Sequence, residues 1–586
     1  MKIRILRSPY SNFYHRDIED AVNTHPDWYL ESLKEHGFNG IWLHCILRNI
    51  VRCRQFSEFG KKEKEQIDAL NKIIEKAAKY NIRVFLYFCE PRGFKDNETF
   101  WKNNSDVRGQ PFSFKNAGFL DGTYYALCTS TNRVKDYLYE SSRNLFKKVQ
   151  GLAGIFMITA SEFHTHCYSH YPKWKLDKHS YTMGWLRNEF ICERCRERNP
   201  SDVVAEIITI INQGIKSVNK NADVIAWSWS WNIIEPDPQK RLIQSLPEEI
   251  ILMCDWERGG YKKLKNKKFI VDEYSFSYTG PSPRFKKQYA VAREKNIRVM
   301  AKIQVSTTHE LVSVPYIPVP HLLAEKIEKM RKMNLEGYLG CWIFGGEISP
   351  MSKIAGMMSK DKKISKSAAI RQVAQHYYGK NSSAVTRAWK YFSYAWKYYP
   401  FSIPFLYYGP INYATIYPFY LKKSKNFIIP SWQPLPRDKN FHLRQSTDLS
   451  WAGSPPFTVR DVIYLLNKML ETWKKGINQL ETVAKKQPSF SITKELNLAI
   501  HIGFLIESTK HIIEFCQLIG QIEQNKKEVK KILERQLEIA EKETDIIQRY
   551  KFGYHPEAHE FFITVEDLKR KIRIIRKQLM LLSKIR

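Results

Sequence analysis

Short apolar runs alternate with amphipathic stretches over the first part of the chain. The runs are Ile3–Leu6, Gly40–His44, Ile82–Cys89, Ala153–Ile158, Val224–Trp229, Ile250–Cys254, Ile297–Ile303 and Gly337–Phe344. They are too uniformly apolar for half-exposed hairpins. Strands covered on both faces, as in a parallel sheet, read this way. Between them, Trp28–His36, Lys62–Tyr80, Val134–Lys148, Val203–Val218, Pro283–Lys295 and His321–Met333 carry one apolar stripe each and predict helices. Eight such β/α units predict an α/β fold, a (β/α)8 TIM barrel. An open doubly wound sheet is the alternative, but no run leads into GxGxxG or GxxxxGKS. After the sixth run, CDWERGG leads to a further apolar patch, Phe269–Val271, read as a loop excursion over the barrel mouth.

The pattern changes near residue 355. Asp461–Lys486, Lys494–Gln524 and Lys526–Tyr550 repeat apolar residues at three and four, with Lys and Glu opposite. The expected division is a catalytic barrel over 1–355, a helical and aromatic segment over 356–450, and an α-helical C-terminal domain over 451–586. The aromatic, proline-rich stretch Pro400–Leu421 is too apolar for a free linker and is expected to pack on the barrel or cover its cleft. HPEAHEFF, His555–Phe562, is expected to fold back toward the cleft.

The 586 residues carry a net charge of +33 and 13% aromatic residues. Such a charge permits nucleic acid, anionic glycans or anionic membranes as partners. The basic residues are spread without a tail or an aromatic–arginine signature, so no nucleic-acid partner is expected. No run is long enough for a membrane helix and the start lacks a secretory signal, so a soluble, cytoplasmic protein with no membrane partner is expected. Ten scattered Cys do not suggest a disulfide framework. Oligomeric state is open.

Candidate chemistry collects at strand ends. Glu90 follows the third run and Glu162 the fourth. Asp255 and Glu257 follow the sixth, Asp272 and Glu273 lie in the excursion, Glu310 follows the seventh run and Glu347 the eighth. In a parallel barrel all of these reach the same rim, where the catalytic residues of such barrels lie. Glycoside hydrolysis needs two carboxyl groups, one to protonate the leaving oxygen and one to attack or stabilise. Glu162 ends an apolar strand, where desolvation favours a protonated carboxyl, and is the expected general acid. Glu310 is the first choice for the second carboxylate, with Asp255 and the Asp272–Glu273 pair behind it. Expected substrate-binding residues are His44, Glu90, Trp229, Trp231, His309 and Trp342, the tryptophans stacking on sugar rings. WSWSW, Trp227–Trp231, alternates faces if it continues a strand. Trp227 is assigned to packing between barrel and helices.

Cys167-x-x-His170 is followed by Cys192-x-x-Cys195, a spacing that suits a tetrahedral zinc. A structural zinc on Cys167, His170, Cys192 and Cys195 would pin the loop after the fourth strand, and catalysis would need no cofactor. His164, His166 and Cys167 could alternatively hold a catalytic ion.

GFNGIWLH at the second run, NIRVFLYFCEPRG at the third, and the fourth run ending in an acidic dyad position resemble the family 20 β-N-acetylhexosaminidases. The family's dyad is Asp-Glu, its Glu the general acid and its Asp the orienter of the substrate acetamide. The resemblance thus implies a carbohydrate substrate and an acid role for Glu162. Here the dyad reads Ser161-Glu162, and a serine cannot polarise an acetamide as a carboxylate does. The reading is a glycosidase acting on an N-acetylhexosamine- or uronic-acid-containing glycan. A non-catalytic carbohydrate-binding barrel and a metal-dependent hydrolase are the alternatives.

Overall fold

In the computed structural model, eight parallel strands close into a barrel. They are β1 (Ile3–Leu6), β2 (Gly40–His44), β3 (Arg83–Phe88), β4 (Gly154–Ile158), β5 (Asp223–Trp227), β6 (Ile251–Asp255), β7 (Arg298–Lys302) and β8 (Gly337–Leu339). Each pairs with its neighbour in chain order, and β8 closes onto β1 with Ile3 opposite Gly337. The structure describes residues 1–14, 16–114, 120–172, 174, 189–264, 266–422, 449–555 and 560–585.

Each strand comes from one of the apolar runs, for the reason the runs are apolar: β2, β4 and β6 are buried at every position. The barrel interior is filled by rings. Trp42 stacks on Trp342 at 5.0 Å, Tyr87 on Phe156 at 5.3 Å, and Trp227 meets Trp342 edge-on at 5.2 Å. Offset and edge contacts of this kind add about 0.5–1.5 kcal/mol per pair beyond simple burial.

Outside the barrel run α1 (Asp27–Glu35), α2 (Glu63–Ala78), α3 (Asn132–Lys148), α4 (Pro200–Lys216), α5 (Lys240–Ser245), α6 (Pro283–Glu294), α7 (Pro320–Lys332) and α8 (Pro350–Lys360). Four of them begin with Pro, whose fixed φ suits the first turn and whose missing N–H is not needed there. Asn199, Ser282 and Ser349 cap three of these with their side chains. These signals end each βα loop cleanly and so fix where the rim residues lie. Gly346 lets the last such loop touch the first: a Cβ there would lie 1.8 Å from the Arg7 carbonyl oxygen.

Three features depart from the sequence pattern. The β3–α3 connection holds a three-stranded antiparallel sheet, Phe94–Lys95, Arg108–Phe114 and Gly122–Leu127. Its middle strand in sequence contains Pro111 and an irregular register, which hides it. β5 stops at Trp227, so WSWSW is not one strand: Ser230 takes a left-handed backbone, φ 62°, and Trp231 begins a short 3-10 turn. The run Gly337–Phe344 is strand only to Leu339. The excursion is confirmed as such, since Gly260–Leu264 and Lys267–Val271 form an antiparallel hairpin outside the barrel.

Beyond α8 the chain is helical: α9 (Lys366–Tyr378), α10 (Ser382–Trp396), α11 (Ile403–Tyr408), α12 (Val459–Lys486), α13 (Phe490–Leu518), α14 (Lys526–Tyr550) and α15 (Val565–Ser583). α10 packs on α12, α12 on α13, α13 on α14 and α14 on α15. This region grips the loop after β7. Asn412 Oδ1 accepts the N–H groups of Val312 and Ser313, Tyr316 donates to Glu495, and the Gly553 N–H donates to Ser313 O at 2.9 Å. The stretch Pro400–Leu421 therefore packs on the barrel mouth. Tyr554, just before the HPEAHEFF segment, lies close enough to Glu347 to feel its charge. Residues 556–559 of that segment lie outside the described residues. No helix among the described residues is long and apolar enough to cross a membrane.

Candidate active site

Glu162 lies four residues past the end of β4. Thr159, Ala160 and Ser161 are buried behind it, and Glu162 itself is half-buried with φ 77°. A glutamate in the left-handed region is uncommon and needs surrounding structure to hold it there. Its charge reaches the cleft. Burial first, then Cys89 and Glu162 at Tyr87, and Asp255, Glu273 and Glu162 at Tyr274, push both phenols far above their ordinary range.

Tyr274 marks where the acidic residues converge. Asp255, Glu273 and Glu162 all act on its phenol. Asp255 ends β6, is 6% exposed, and its Oδ1 accepts the Trp227 indole N–H at 2.9 Å. Among the described residues Oδ2 takes no hydrogen bond. Burial raises the Asp255 carboxyl above its usual range against the pull of Arg258. Glu273 behaves oppositely. Burial would raise it, but His309 and Arg258 outweigh that and hold it at about 2. His309 Nδ1 lies 3.0 Å from Glu273 Oε1, and Tyr407 from α11 donates to Oε2 at 2.6 Å. Lys302, the last residue of β7, is fully buried 4.1 Å from the Tyr274 ring centre, and burial brings its ammonium down to about 8.

Glu310, Asp272, Glu90 and Glu257 are held by contacts within the fold. Glu310 does not suit the nucleophile role: it is 0% exposed and both oxygens are occupied. It accepts from Ser275 Oγ (2.5 Å), the N–H groups of Phe276 (2.8 Å) and Ser277 (3.2 Å), and Trp396 Nε1 of α10 (2.7 Å). Asp272 is buried between Arg258 and Arg284. Glu90 accepts the N–H groups of Leu47 and Arg92 and so pins two rim loops rather than a substrate. Glu257 is sealed against Lys326. Glu347, beyond β8, is half-buried, and burial raises it to about 7.

The aromatic predictions divide. Trp342 and Trp229 are 8% and 9% exposed and reach the mouth. Trp231 does not: it is fully buried, its indole N–H bound to Thr159 Oγ1 at 2.9 Å. Trp227, assigned from sequence to helix packing, lies inside the barrel against Phe156 and Trp342. His44 is stacked on Phe13, its Nδ1 on Phe13 O at 2.8 Å and its Nε2 2.9 Å from an Arg92 Nη2.

Arg92 opens a feature absent from the sequence reading. Its guanidinium lies 3.6 Å over the Phe163 ring, next in sequence to Glu162. Both line a cavity of about 300 Å³ with His44, Arg48, Lys95 and Glu98. Asp17 also lines it but is neutralised by Arg7 at 2.8 Å. The buried Glu90 carboxylate also acts on Arg48 and Arg92 and offsets part of the charge that the three cations bring to the cavity. The only hint in the sequence was the CEPRGFK run directly after β3.

The metal prediction is corrected in one ligand. Cys167, Cys192 and Cys195 come together, but the fourth member is Cys128, just past the inserted sheet. His170 is turned away with a left-handed backbone and stacks on Phe112 at 4.2 Å. His164 Nε2 lies 2.6 Å from the Gln110 carbonyl oxygen, and His166 Nε2 bonds that of Thr159. Hence the described residues assemble no His164–His166–Cys167 centre with an open position.

No protein-family model matches this chain, and no curated protein sequence matches it. Its fold is nevertheless shared. A GH138 enzyme targeting pectin rhamnogalacturonan II superposes with a TM-score of 0.53 at 10% identity, over 100% of this chain and 69% of that one. A variant Thermobaculum terrenum O-GlcNAc hydrolase aligns at 10% identity over 100% and 96% of the two chains, with a TM-score of 0.39. A Clostridium perfringens GH89 enzyme, solved with GlcNAc-α-1,4-galactose, gives 0.48 at 11% identity over 93% and 54%. The first superposition establishes the (β/α)8 fold with its helical C-terminal region. No family 20 protein is among these neighbours, so the resemblance stands at the level of barrel architecture.

Proposed function

We propose that the protein is a glycoside hydrolase, with Glu162 as general acid and Asp255 as the second carboxylate. The observation that carries this reading is the placement of Glu162, just past β4, and Asp255, the last residue of β6, at the same C-terminal mouth of the barrel, where both act on the Tyr274 phenol. Glu162 is half-buried at the rim and positioned to protonate a glycosidic oxygen. Asp255 is fixed by Trp227 at one oxygen and presents the other to the reacting carbon or to an attacking water. Glu273, which accepts the Tyr407 hydroxyl and lies beside His309, supplies negative charge behind it, and Trp229 and Trp342, 9% and 8% exposed, border the sugar.

Between the two sugar classes expected from sequence, the cavity beside Glu162 favours the acidic one. Arg48, Arg92 and Lys95 suit the carboxylate of a uronic acid, and guanidinium groups bind carboxylates with directed, charge-assisted hydrogen bonds. No acid occupies the Ser161 position to orient an acetamide, which further disfavours substrate-assisted chemistry.

The test is hydrolysis of aryl uronides, N-acetylhexosaminides and neutral hexosides by the wild type and by Glu162→Gln. Uronide turnover lost in the variant supports the reading. Sugar binding without turnover in either protein would make the barrel a carbohydrate-binding module instead.

A further inference from the structure

The β3–α3 and β4–α4 connections meet at four buried cysteines. Cys128 follows the last strand of the inserted sheet, Cys167 lies in the loop beyond Glu162, Cys192 precedes the helical turn Glu193–Arg196 before α4, and Cys195 lies within it. All four sulfur atoms lie within 4.8 Å of one another. Cys128 Sγ is 3.8 Å from Cys192 Sγ and 3.6 Å from Cys195 Sγ.

These spacings are those of a metal site. A disulfide needs sulfurs about 2.05 Å apart, and all four cysteines are free. A tetrahedral ion with zinc–sulfur bonds of about 2.3 Å places its ligands about 3.8 Å apart along each edge. Pairing into disulfides would also draw the sulfurs into two couples, whereas here each is close to the other three. The surroundings suit thiolates. The Gln110 N–H points to Cys167 Sγ at 3.4 Å, Arg194 Nε to Cys128 Sγ at 3.4 Å, and Ser130 Oγ lies 3.1 Å from Cys195 Sγ. Donors of this kind, with an arginine among them, balance the surplus charge of four thiolates on a divalent ion. Gly109 allows the close approach: a Cβ there would lie 2.6 Å from Cys167 Sγ.

We propose that Cys128, Cys167, Cys192 and Cys195 bind one zinc ion, which clamps the inserted sheet to the loop that carries Glu162. With four protein ligands the ion has no open position, so its role is structural. It fixes both walls of the cationic cavity, since Lys95 comes from the inserted sheet and Phe163 from the Glu162 loop. The inference is independent of whether the barrel is a glycosidase.

Elemental analysis of the purified full chain should find one zinc per molecule. X-ray absorption should show four sulfur neighbours at about 2.3 Å and no nitrogen at about 2.0 Å. His170→Ala should keep the zinc and Cys128→Ser should lose it. Should Cys128→Ser fail to fold, the absorption measurement on the wild type still decides between four sulfurs and a set containing histidine. Iron, no metal, a nitrogen ligand, or loss of zinc in His170→Ala would each overturn the proposal.

Discussion

The indole N–H of Trp227 donates to Asp255 Oδ1 at 2.9 Å, so the last residue of β5 orients the last residue of β6. A hydrogen bond to the ionised form lowers a carboxyl pKa, and here it opposes the upward push of burial. Trp227→Phe keeps the ring and removes the donor. The account predicts a lower kcat and an acidic limb of the kcat/KM profile moved to higher pH, because Asp255 then ionises later. An unmoved limb would separate Asp255 from the chemistry.

Arg92→Ala should act on substrate choice. A charge-assisted hydrogen bond contributes about 1.5–3 kcal/mol, and each 1.4 kcal/mol is about tenfold. The KM for an aryl uronide should therefore rise about 10- to 100-fold. Any turnover of a neutral hexoside should change far less. Equal losses on both substrates would mean that Arg92 holds the loop rather than the sugar.

Glu310→Gln separates a structural from a catalytic carboxylate. An amide can present only one acceptor oxygen to the donors from Ser275, Phe276, Ser277 and Trp396, and it adds an N–H where another donor already points. The expected result is a loss of about 2–4 kcal/mol in stability, read by chemical denaturation. A stable but inactive variant would return Glu310 to the chemistry.

Glu273 gives a pH dependence of stability. Its folded carboxyl is held at about 2, below its ordinary value, by His309 and Arg258 against burial. The folded state therefore binds fewer protons than the unfolded chain between those values. The stabilisation is present above about pH 4.5 and is lost as pH falls toward 2. Glu273→Gln should flatten the acid limb of a Tm-against-pH curve relative to the wild type. Parallel curves would contradict a depressed Glu273 carboxyl.

All eight barrel strands were legible in the sequence because parallel strands are apolar on both faces, and a run such as IFMI is too short for a buried helix and lies between helical stretches. The site was legible only in part. Position after a strand places Glu162, Asp255 and Glu310 on the same rim, but it says nothing of what each carboxylate meets. Glu310 is claimed by Ser275–Ser277 and by Trp396, and Glu90 by Leu47, all residues brought in by other connections. Cys128 was missed for the same cause: ligand spacing pairs near neighbours, and the fourth thiol arrives from the preceding connection. Trp231 was misplaced because a strand read as continuing to it gives no sign of the left-handed turn at Ser230 that buries it.

The most direct test of the central claim is the leaving-group dependence of hydrolysis by Glu162→Gln. A general acid matters most where the leaving oxygen needs a proton. The variant should lose about 10²–10⁴-fold in kcat/KM on an unactivated aryl or alkyl glycoside, and much less on a dinitrophenyl glycoside, whose leaving group departs unaided. An equal loss on both substrates, or no loss on either, would contradict Glu162 as the acid.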